Sequence, residues 1–174
     1  MTLSARVLAL ALLFASAVYA GAQEVRPDDR VAIAACLQKE TESPERCIGT
    51  VYKPCADTRE GGITAGSGDC AQRETVVWRE IIDANLKQLL EGPLGKTVAQ
   101  PWNRPTENKR DHPVPGSDII NDMQKTWLTW RAKKCDTAAM QYEEGSLSRV
   151  VYGSCIYEET GRQALWLKSL VEDR

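Results

Sequence analysis

The sequence has little histidine, and it lacks the short motifs of most secreted hydrolases. His112 is the single histidine among 174 residues. No Gly-x-Ser-x-Gly turn accompanies it, so a Ser-His-Asp arrangement has no support. The glycines between residues 61 and 68 precede no Lys-Ser or Lys-Thr pair, and they therefore do not form a phosphate-binding loop. These absences predict a protein that is not an enzyme.

Acidic pairs do not change that prediction, because 24 acidic residues always offer some pair at a spacing suitable for glycoside cleavage. Glu74 lies in a helical pattern, and the other conspicuous acids are the neighbours at 143–144 and 158–159. We predict that all of these carboxylates lie on solvated faces of helices or loops.

A long apolar run is also absent after residue 20, where nothing approaches the roughly 18–20 apolar residues of a membrane helix. Residues 1–20 contain one charge, Arg6, then an apolar run and a small-residue ending, which is typical of a secretory signal peptide. The mature chain, 21–174, has 21 basic and 24 acidic residues and a net charge of −3. This charge argues against nucleic acid and anionic membranes as partners, and it suits a cationic protein.

The cysteines lack the Cys-x-x-Cys spacing that is typical of thioredoxin-type redox centres and zinc knuckles. Their number is even and all six lie in the mature part, which indicates three disulfides in an exported chain. Of the fifteen conceivable pairings we favour those that close short local excursions, which leaves no metal ligands and predicts no cofactor. The favoured pairs are Cys36–Cys47, Cys55–Cys70 and Cys135–Cys155.

Apolar residues recur at three- and four-residue intervals along most of the mature chain, which predicts an all-α bundle of about five helices stapled by disulfides. The stretch from Leu147 to Tyr152 is compatible with a short strand or with a helix. The predicted helices are the first, capped by Asp28 or Asp29; the second, from Ser43-Pro44-Glu45 to Pro54; the third, from Asp69 to about Leu90; the fourth, from Asp118 to about Cys135; and the fifth, capped by Thr160.

Residues 92–117 interrupt this pattern with five prolines and three glycines, which predicts a long loop. Trp102 lies in this loop together with Lys109 and Arg110. An indole beside cationic side chains suits a partner-binding anchor, although burial of Trp102 against the bundle is an equal alternative. Among the helical tryptophans, Trp78 and Trp127 are predicted to lie in the core.

The fourth predicted helix contains Gln124, Trp127, Arg131 and Cys135. This spacing resembles the Gln-x-x-Trp-x-x-x-Arg-x-x-x-Cys helix of the lysozyme inhibitor LprI-like family. Downstream, Cys155 followed by an arginine at 162 resembles the closing segment of that family, with the arginine one place early.

The resemblance continues upstream, where Cys70, Glu74 and Trp78 match the entry into the family's long helix. The family's aspartate and tyrosine after this tryptophan are absent here, and Ile82 and Leu86 maintain the apolar face. The N-terminal segment at residues 34–62 is similar to a cysteine-rich extension of proteobacterial members. The similarity extends over roughly residues 34–170, within a single domain at 21–174.

The resemblance implies a periplasmic or secreted binding module that blocks the cleft of a lysozyme. The loop at 92–117 is the candidate for entering that cleft, with Lys109 or Arg110 facing its two carboxylates. The alternative for the loop is a tolerated surface insertion. Arg131 and Arg162 are expected to bridge helices or satisfy helix ends rather than touch a ligand. The alternative function is a non-catalytic envelope or stress module that binds a peptidoglycan fragment or another periplasmic protein.

Overall fold

The computed structural model describes residues 25–101, 111–143 and 145–172, and these residues are mainly α-helical. They form six α-helices, one 3-10 helix and one short antiparallel strand pair, which confirms the predicted all-α class. The elements are α1 (Pro27–Lys39), the 3-10 helix (Pro44–Cys47), α2 (Tyr52–Ala56), α3 (Thr64–Glu91), α4 (Pro93–Lys96), β1 (Val98–Ala99), β2 (Val114–Pro115), α5 (Gly116–Met140) and α6 (Leu147–Glu172).

Helix α3 forms the centre of the bundle, because it packs along α6 and contacts the N-terminal elements as well. Its buried residues Trp78, Ile82 and Leu89 follow helical spacing and meet Ala164 and Leu167 of α6 in one core. Helix α5 packs mainly against α6, while α1 and α2 cover α3. The core therefore lies between the long helices, and the α5–α6 pair forms one side of the molecule.

Helix α3 begins at Thr64, so the prediction that Asp69 caps it is wrong. The backbone around Gly61 and Gly66, at the start of this helix, is closely packed. A Cβ on Gly61 would lie 1.9 Å from the carbonyl oxygen of Cys55, and one on Gly66 would lie 1.9 Å from that of Glu60. Only glycine permits these close backbone approaches at positions 61 and 66.

The predicted second helix is two short pieces instead of one. The 3-10 helix Pro44–Cys47 ends in a turn where Gly49 has φ 98°, and α2 then begins at Tyr52. Pro54 lies in the first turn of α2, a position in which a helix tolerates proline. The proline therefore does not end the helix. Residues of this segment use their backbone N–H groups for a buried carboxylate described below.

The first helix has Arg26 at its N-cap and Pro27 as its first residue, so neither aspartate caps it. Asp29 is buried and accepts two hydrogen bonds from the Arg73 guanidinium, at 2.9 Å from Nε and 2.5 Å from Nη2. This bond raises the pKa of Arg73. The carboxylate that seemed suited to a cap therefore ties α1 to α3.

Helix α6 begins at Leu147, so the stretch to Tyr152 is helical and the prediction that Thr160 caps a helix is wrong. Thr160 is fully buried in the middle of α6, where its hydroxyl donates to the carbonyl oxygen of Ile156 at 2.6 Å. Helix α5 also begins before Asp118, at Gly116, and continues to Met140. Both long helices are more extensive than the sequence pattern suggested.

The three disulfides join the cysteines in the predicted pairs, with Cα–Cα distances of 5.6, 5.6 and 5.4 Å. Cys36–Cys47 ties α1 to the 3-10 helix, Cys55–Cys70 ties α2 to α3, and Cys135–Cys155 ties α5 to α6. Loops of these lengths correspond to about 3 kcal/mol of stabilisation for each bridge. The covalent links therefore hold neighbouring elements in place on both sides of α3.

The proline-rich stretch 92–117 contains more structure than a loop at its two ends. Helix α4 and strand β1 occupy its beginning, and Ala99 of β1 pairs with Val114 of β2. The pair brings the two ends of the intervening chain together beside the start of α5. The predicted partner-binding residues Trp102, Lys109 and Arg110 lie outside the described residues.

Candidate functional site

An open groove of about 1010 Å³ runs along the surface between α5 and α6, next to β2. We call it the aromatic groove. Most of its lining is apolar, and three tryptophan side chains contribute to it. The apolar lining residues are Val114, Ile119, Met123, Trp127, Trp130 and Trp166.

Helical spacing explains why these side chains meet. Ile119, Met123, Trp127 and Trp130 follow one another on α5 at intervals of three and four residues, and therefore share a face. Trp130 and Trp166 stay 49% and 45% exposed, whereas an indole in the core would be hidden. Trp127 is half-buried and packs against the core, so it forms the junction between core and groove. The prediction that Trp127 is a core residue thus holds for only part of its ring.

Cationic side chains lie over two of the three indoles. The guanidinium carbon of Arg131 lies 4.8 Å from the ring centroid of Trp127, and the Lys134 ammonium lies 4.9 Å from that of Trp130. Each cation is four residues after its tryptophan, one turn along α5. These cation–π contacts favour one orientation of each indole along the groove.

Arg131 is buried and bridges α5 to α6, because its Nη1 donates to the Thr160 hydroxyl at 2.7 Å. Within the described residues it forms no ion pair, and its Nε has no hydrogen-bond partner. Burial lowers the pKa of Arg131, and the positive charge of Arg79 lowers it further. Arg131 therefore positions the helices around Trp127 and does not reach into the groove.

Gln163 is one of the polar residues that line the groove, and it is hydrogen-bonded to α5. Gln163 of α6 donates to Oε1 of Gln124 on α5 at 3.0 Å and lies 3.6 Å from the sulfur of Met123. Gln163 is largely buried, so this bond is shielded from water. Gln124, Trp127 and Arg131 of the sequence motif thus all contribute to the α5–α6 contact.

Two carboxylates form an edge of the groove. Asp118 and Asp122 are exposed on α5, one helical turn apart, and both line the groove. Asp118 accepts a long hydrogen bond, 3.4 Å, from the Ser117 hydroxyl. Asp122 has no side-chain hydrogen bond or ion pair with any residue that the structure describes. Within the described residues, the groove therefore combines an apolar surface with a negative edge that no cation pairs with.

Arg162 does not bridge helices as expected. Its guanidinium bonds to Glu158 and Glu159 of its own helix, α6. The contact between helices comes from Lys134 of α5, whose ammonium lies 2.9 Å from Oε1 of Glu159. Glu159 is buried, so its predicted position on a solvated face is also wrong.

Glu74 is wholly buried, which overturns the prediction that it lies on a solvated face. Its Oε1 accepts hydrogen bonds from the Gly49 N–H at 2.5 Å and from Trp78 Nε1 at 2.9 Å. Its Oε2 accepts from the N–H groups of Val51 and Tyr52 at 3.0 and 2.7 Å. All four bonds are internal, so this carboxylate organises the turn between the 3-10 helix and α2 and is not a catalytic acid. The 70–74–78 spacing, which places Glu74 on the face of Cys70 and Trp78, was the signal for its burial.

Sequence reasoning missed Asp118, Asp122, Gln163 and Trp166 as parts of one surface. Their shared position depends on how α5 lies against α6, which helical spacing along one chain segment does not show. Across 25–101, 111–143 and 145–172 there is no cluster of His, Cys, Asp or Glu that could hold a metal ion. In the same residues, no helix has the length and apolar character required to cross a membrane.

The model of the family described as "Lysozyme inhibitor LprI" matches residues 55–167. The chain belongs to the lysozyme inhibitor LprI family. The match includes α3, α5 and most of α6, and with them the aromatic groove. Cys36 and Cys47 lie before it, so the similarity of residues 34–62 to a cysteine-rich extension of proteobacterial members remains a prediction.

The LprI-family chain is also similar to a curated protein of Rhodobacter capsulatus described as "Uncharacterized 17.7 kDa protein in puhA 5'region". The two are 27% identical over 176 residues, which cover 96% of each chain. No solved structure gives a significant match to this chain. The model match over residues 55–167 supports the family, and the similarity to the Rhodobacter capsulatus protein covers nearly the whole chain.

Proposed function

We propose that this protein is an exported, non-catalytic inhibitor that binds a lysozyme-like muramidase and blocks its cleft. The observation that carries the proposal is the match of residues 55–167 to the lysozyme inhibitor family. The three disulfides support export, because such bonds persist in oxidising compartments such as the periplasm or the exterior. Residues 1–20 would be the signal peptide and 21–174 the mature domain.

The charge of the chain supports a basic protein partner. The mature part has a net charge of −3, and complementary charge increases the rate at which two proteins meet. Many lysozymes are basic outside an active-site cleft that contains two carboxylates. A cationic group of the inhibitor would therefore fit the cleft while the remainder of its surface attracts the enzyme.

The loop at 92–117 is the proposed cleft-blocking segment. The pairing of Ala99 with Val114 holds the ends of the intervening chain together on the surface of the bundle. In sequence, this intervening chain contains Trp102, Lys109 and Arg110. We assign Trp102 the role of an apolar anchor, and one of the two cations the role of facing the enzyme's carboxylates.

The test is a cell-wall lysis assay with purified, oxidised protein of residues 21–174 against animal and bacterial lysozymes. We expect inhibition that disappears after reduction, because the disulfides hold the elements that support the loop. Charge reversal by Lys109→Glu with Arg110→Glu should weaken inhibition. Reversal at Lys87 and Lys133, two exposed lysines on α3 and α5, changes the net charge equally and should weaken it less. No inhibition of any lysozyme at micromolar excess would contradict the proposal.

The half-exposed indoles of the aromatic groove favour one alternative, a non-catalytic envelope module that binds a peptidoglycan fragment, since sugar rings stack on aromatic faces. Co-sedimentation with purified peptidoglycan in the absence of lysozyme distinguishes the two functions. Binding to peptidoglycan without inhibition would favour the alternative. Turnover of the cell-wall substrate by the protein alone would contradict both.

A further inference from the structure

We propose that the aromatic groove binds a basic, partly apolar segment of a partner protein, with Asp118 and Asp122 pairing with lysine or arginine side chains of that segment. The chemistry of the segment is inferred from the groove. Its assignment to a lysozyme-like enzyme rests on the proposed function. The groove would then be a second contact surface beside the cleft-blocking loop.

The groove exposes a large apolar surface. Trp130 and Trp166 expose 49% and 45% of their surfaces within a single groove, together with parts of Ile119 and Met123. No other element in the described part of the chain covers them. Contiguous apolar surface of this kind marks interaction sites, and tryptophan is enriched among the residues that contribute most to binding.

Two carboxylates give the edge of the groove a negative charge. Asp118 lies in the first turn of α5, where a carboxylate also stabilises the helix dipole. Asp122 is a turn further along, beyond the reach of that effect, and no cation pairs with it within the described residues. Lys125 follows Asp122 by three residues on α5, and no ion pair joins the two within the described residues. Lys134, further along α5, lies over Trp130 and bonds to Glu159. Among the described residues, the two carboxylates therefore have no cation partner and can pair with an external one.

The lining also discriminates between classes of partner. In the part of the chain that the structure describes, the lining contains two aspartates and no lysine or arginine, so it would repel the carboxylates of peptidoglycan peptide stems. A neutral sugar would stack on the indoles but would leave the charges of Asp118 and Asp122 without a partner. A peptide segment with alternating apolar and basic side chains satisfies both parts of the surface.

The groove is held in shape before binding, which favours specific association. The Cys135–Cys155 disulfide and the Gln124–Gln163 hydrogen bond join its two helices. The Arg131–Thr160 bond fixes the same helices near Trp127. Little of the binding free energy would therefore be lost in ordering α5 against α6.

The experiment compares Asp118→Asn/Asp122→Asn with the control Asp83→Asn/Asp136→Asn, which removes the same charge from exposed sites outside the groove. A second comparison sets Trp130→Ala/Trp166→Ala against Val31→Ala/Leu128→Ala, whose side chains are also exposed but do not line the groove. Circular dichroism and thermal unfolding check that each variant is folded. Binding is measured by calorimetry to a lysozyme and, separately, to a synthetic peptide of alternating leucine and arginine.

We expect each groove variant to weaken binding of the peptide and of the lysozyme about tenfold or more, with the controls within about twofold. Raising the salt concentration should weaken peptide binding to the wild type more than to the Asp118→Asn/Asp122→Asn variant. A peptide of alternating leucine and glutamate should not bind.

The two proposals fail in different ways. A wild type that binds the basic peptide through the groove but inhibits no lysozyme would contradict the proposed function and leave the groove assignment standing. Groove variants that inhibit lysozyme and bind the peptide as well as the wild type would overturn the groove assignment alone. A wild type that binds neutral chito-oligosaccharides in the groove and not the basic peptide would also overturn it.

Discussion

The cysteine-rich end and the aromatic groove differ in whether their polar and aromatic groups are buried or exposed. At the cysteine-rich end, formed by α1, the 3-10 helix, α2 and the first half of α3, two disulfides and the Glu74 carboxylate connect the elements. Trp78 there is wholly buried, and its indole N–H is hydrogen-bonded to Glu74. In the aromatic groove, two indoles are half-exposed and Asp122 has no partner among the described residues.

The comparison suggests that the cysteine-rich end stabilises the fold, whereas the aromatic groove serves binding. Buried polar groups of a stable fold are hydrogen-bonded internally, as Glu74 is with four donors. Groups that serve a partner must stay accessible to it, as the half-exposed Trp130 and Trp166 do. If this division is correct, substitutions at the cysteine-rich end will change stability, and those in the groove will change binding.

The largest expected effect is that of Trp78→Ala, which should lower the free energy of unfolding by about 3–5 kcal/mol because it leaves a cavity in the core. Trp166→Ala removes an indole that is 45% exposed, and should cost less than about 1 kcal/mol. Urea unfolding followed by circular dichroism measures both. Equal losses for the two variants would refute the division between the regions.

Glu74→Gln should lower the free energy of unfolding by about 3 kcal/mol. The amide nitrogen cannot accept hydrogen bonds, so it faces two of the four buried donors without satisfying them. Glu91→Gln, at an exposed position near the end of the same helix, is the control and should change stability by less than about 0.5 kcal/mol. Thermal unfolding at neutral pH compares them. A loss at Glu74 no larger than the control's would show that the carboxylate does not organise the turn.

Arg131 shares one property with each region. It is buried, as Glu74 is, but it has no carboxylate partner within the described residues. Arg131→Ala should cost about 2–3 kcal/mol through lost packing against Trp127 and Thr160. Arg131→Met keeps most of the volume and removes a poorly compensated charge, so it should cost less than about 1 kcal/mol. Chemical unfolding tests the order of the two variants. If methionine is as damaging as alanine, the charge of Arg131 itself stabilises the fold.

The smallest effect is expected at the exposed pair of Arg30 and Glu80, which joins α1 to α3 with bonds of 2.9 and 2.8 Å. The hydrogen bond from Arg30 lowers the pKa of Glu80. A lowered folded-state pKa stabilises the fold above the unfolded pKa of about 4.3, and this stabilisation disappears as the pH falls through the folded value. Glu80→Gln should therefore lower the Tm by about 2 °C or less at pH 7 and by nothing at about pH 2. A difference that grows as the pH falls would contradict this sign.

Local signals in the sequence predicted a considerable part of the fold. The three disulfide pairs follow from short spacings between cysteines, and the long helices follow from their apolar periodicity. Helix boundaries were predicted less well, because residues that can cap a helix can also bond to side chains of other helices. Asp29 bonds to Arg73 instead of capping α1, and Thr160 lies in the middle of α6 where it accepts a hydrogen bond from Arg131.

The candidate site was harder to predict, since it consists of side chains from two helices and a short strand. Trp127 was expected in the core, yet its position beside the groove depends on the packing of α5 against α6. Glu74 was expected in solvent, and its burial depends on three backbone N–H groups supplied by residues 49–52. Neither environment exists within one helix.

By itself, the sequence determined the helical class, the cysteine pairing and the resemblance to the lysozyme inhibitor family, because each depends on local spacing along the chain. Only the tertiary structure decided which polar groups are buried and which tryptophans stay exposed. Burial is a property of neighbours from distant parts of the chain, as Gly49 with Glu74 and Gln124 with Gln163 demonstrate. The aromatic groove likewise exists only once α5 and α6 are joined, since its apolar wall and its acidic edge belong to a surface and not to a segment.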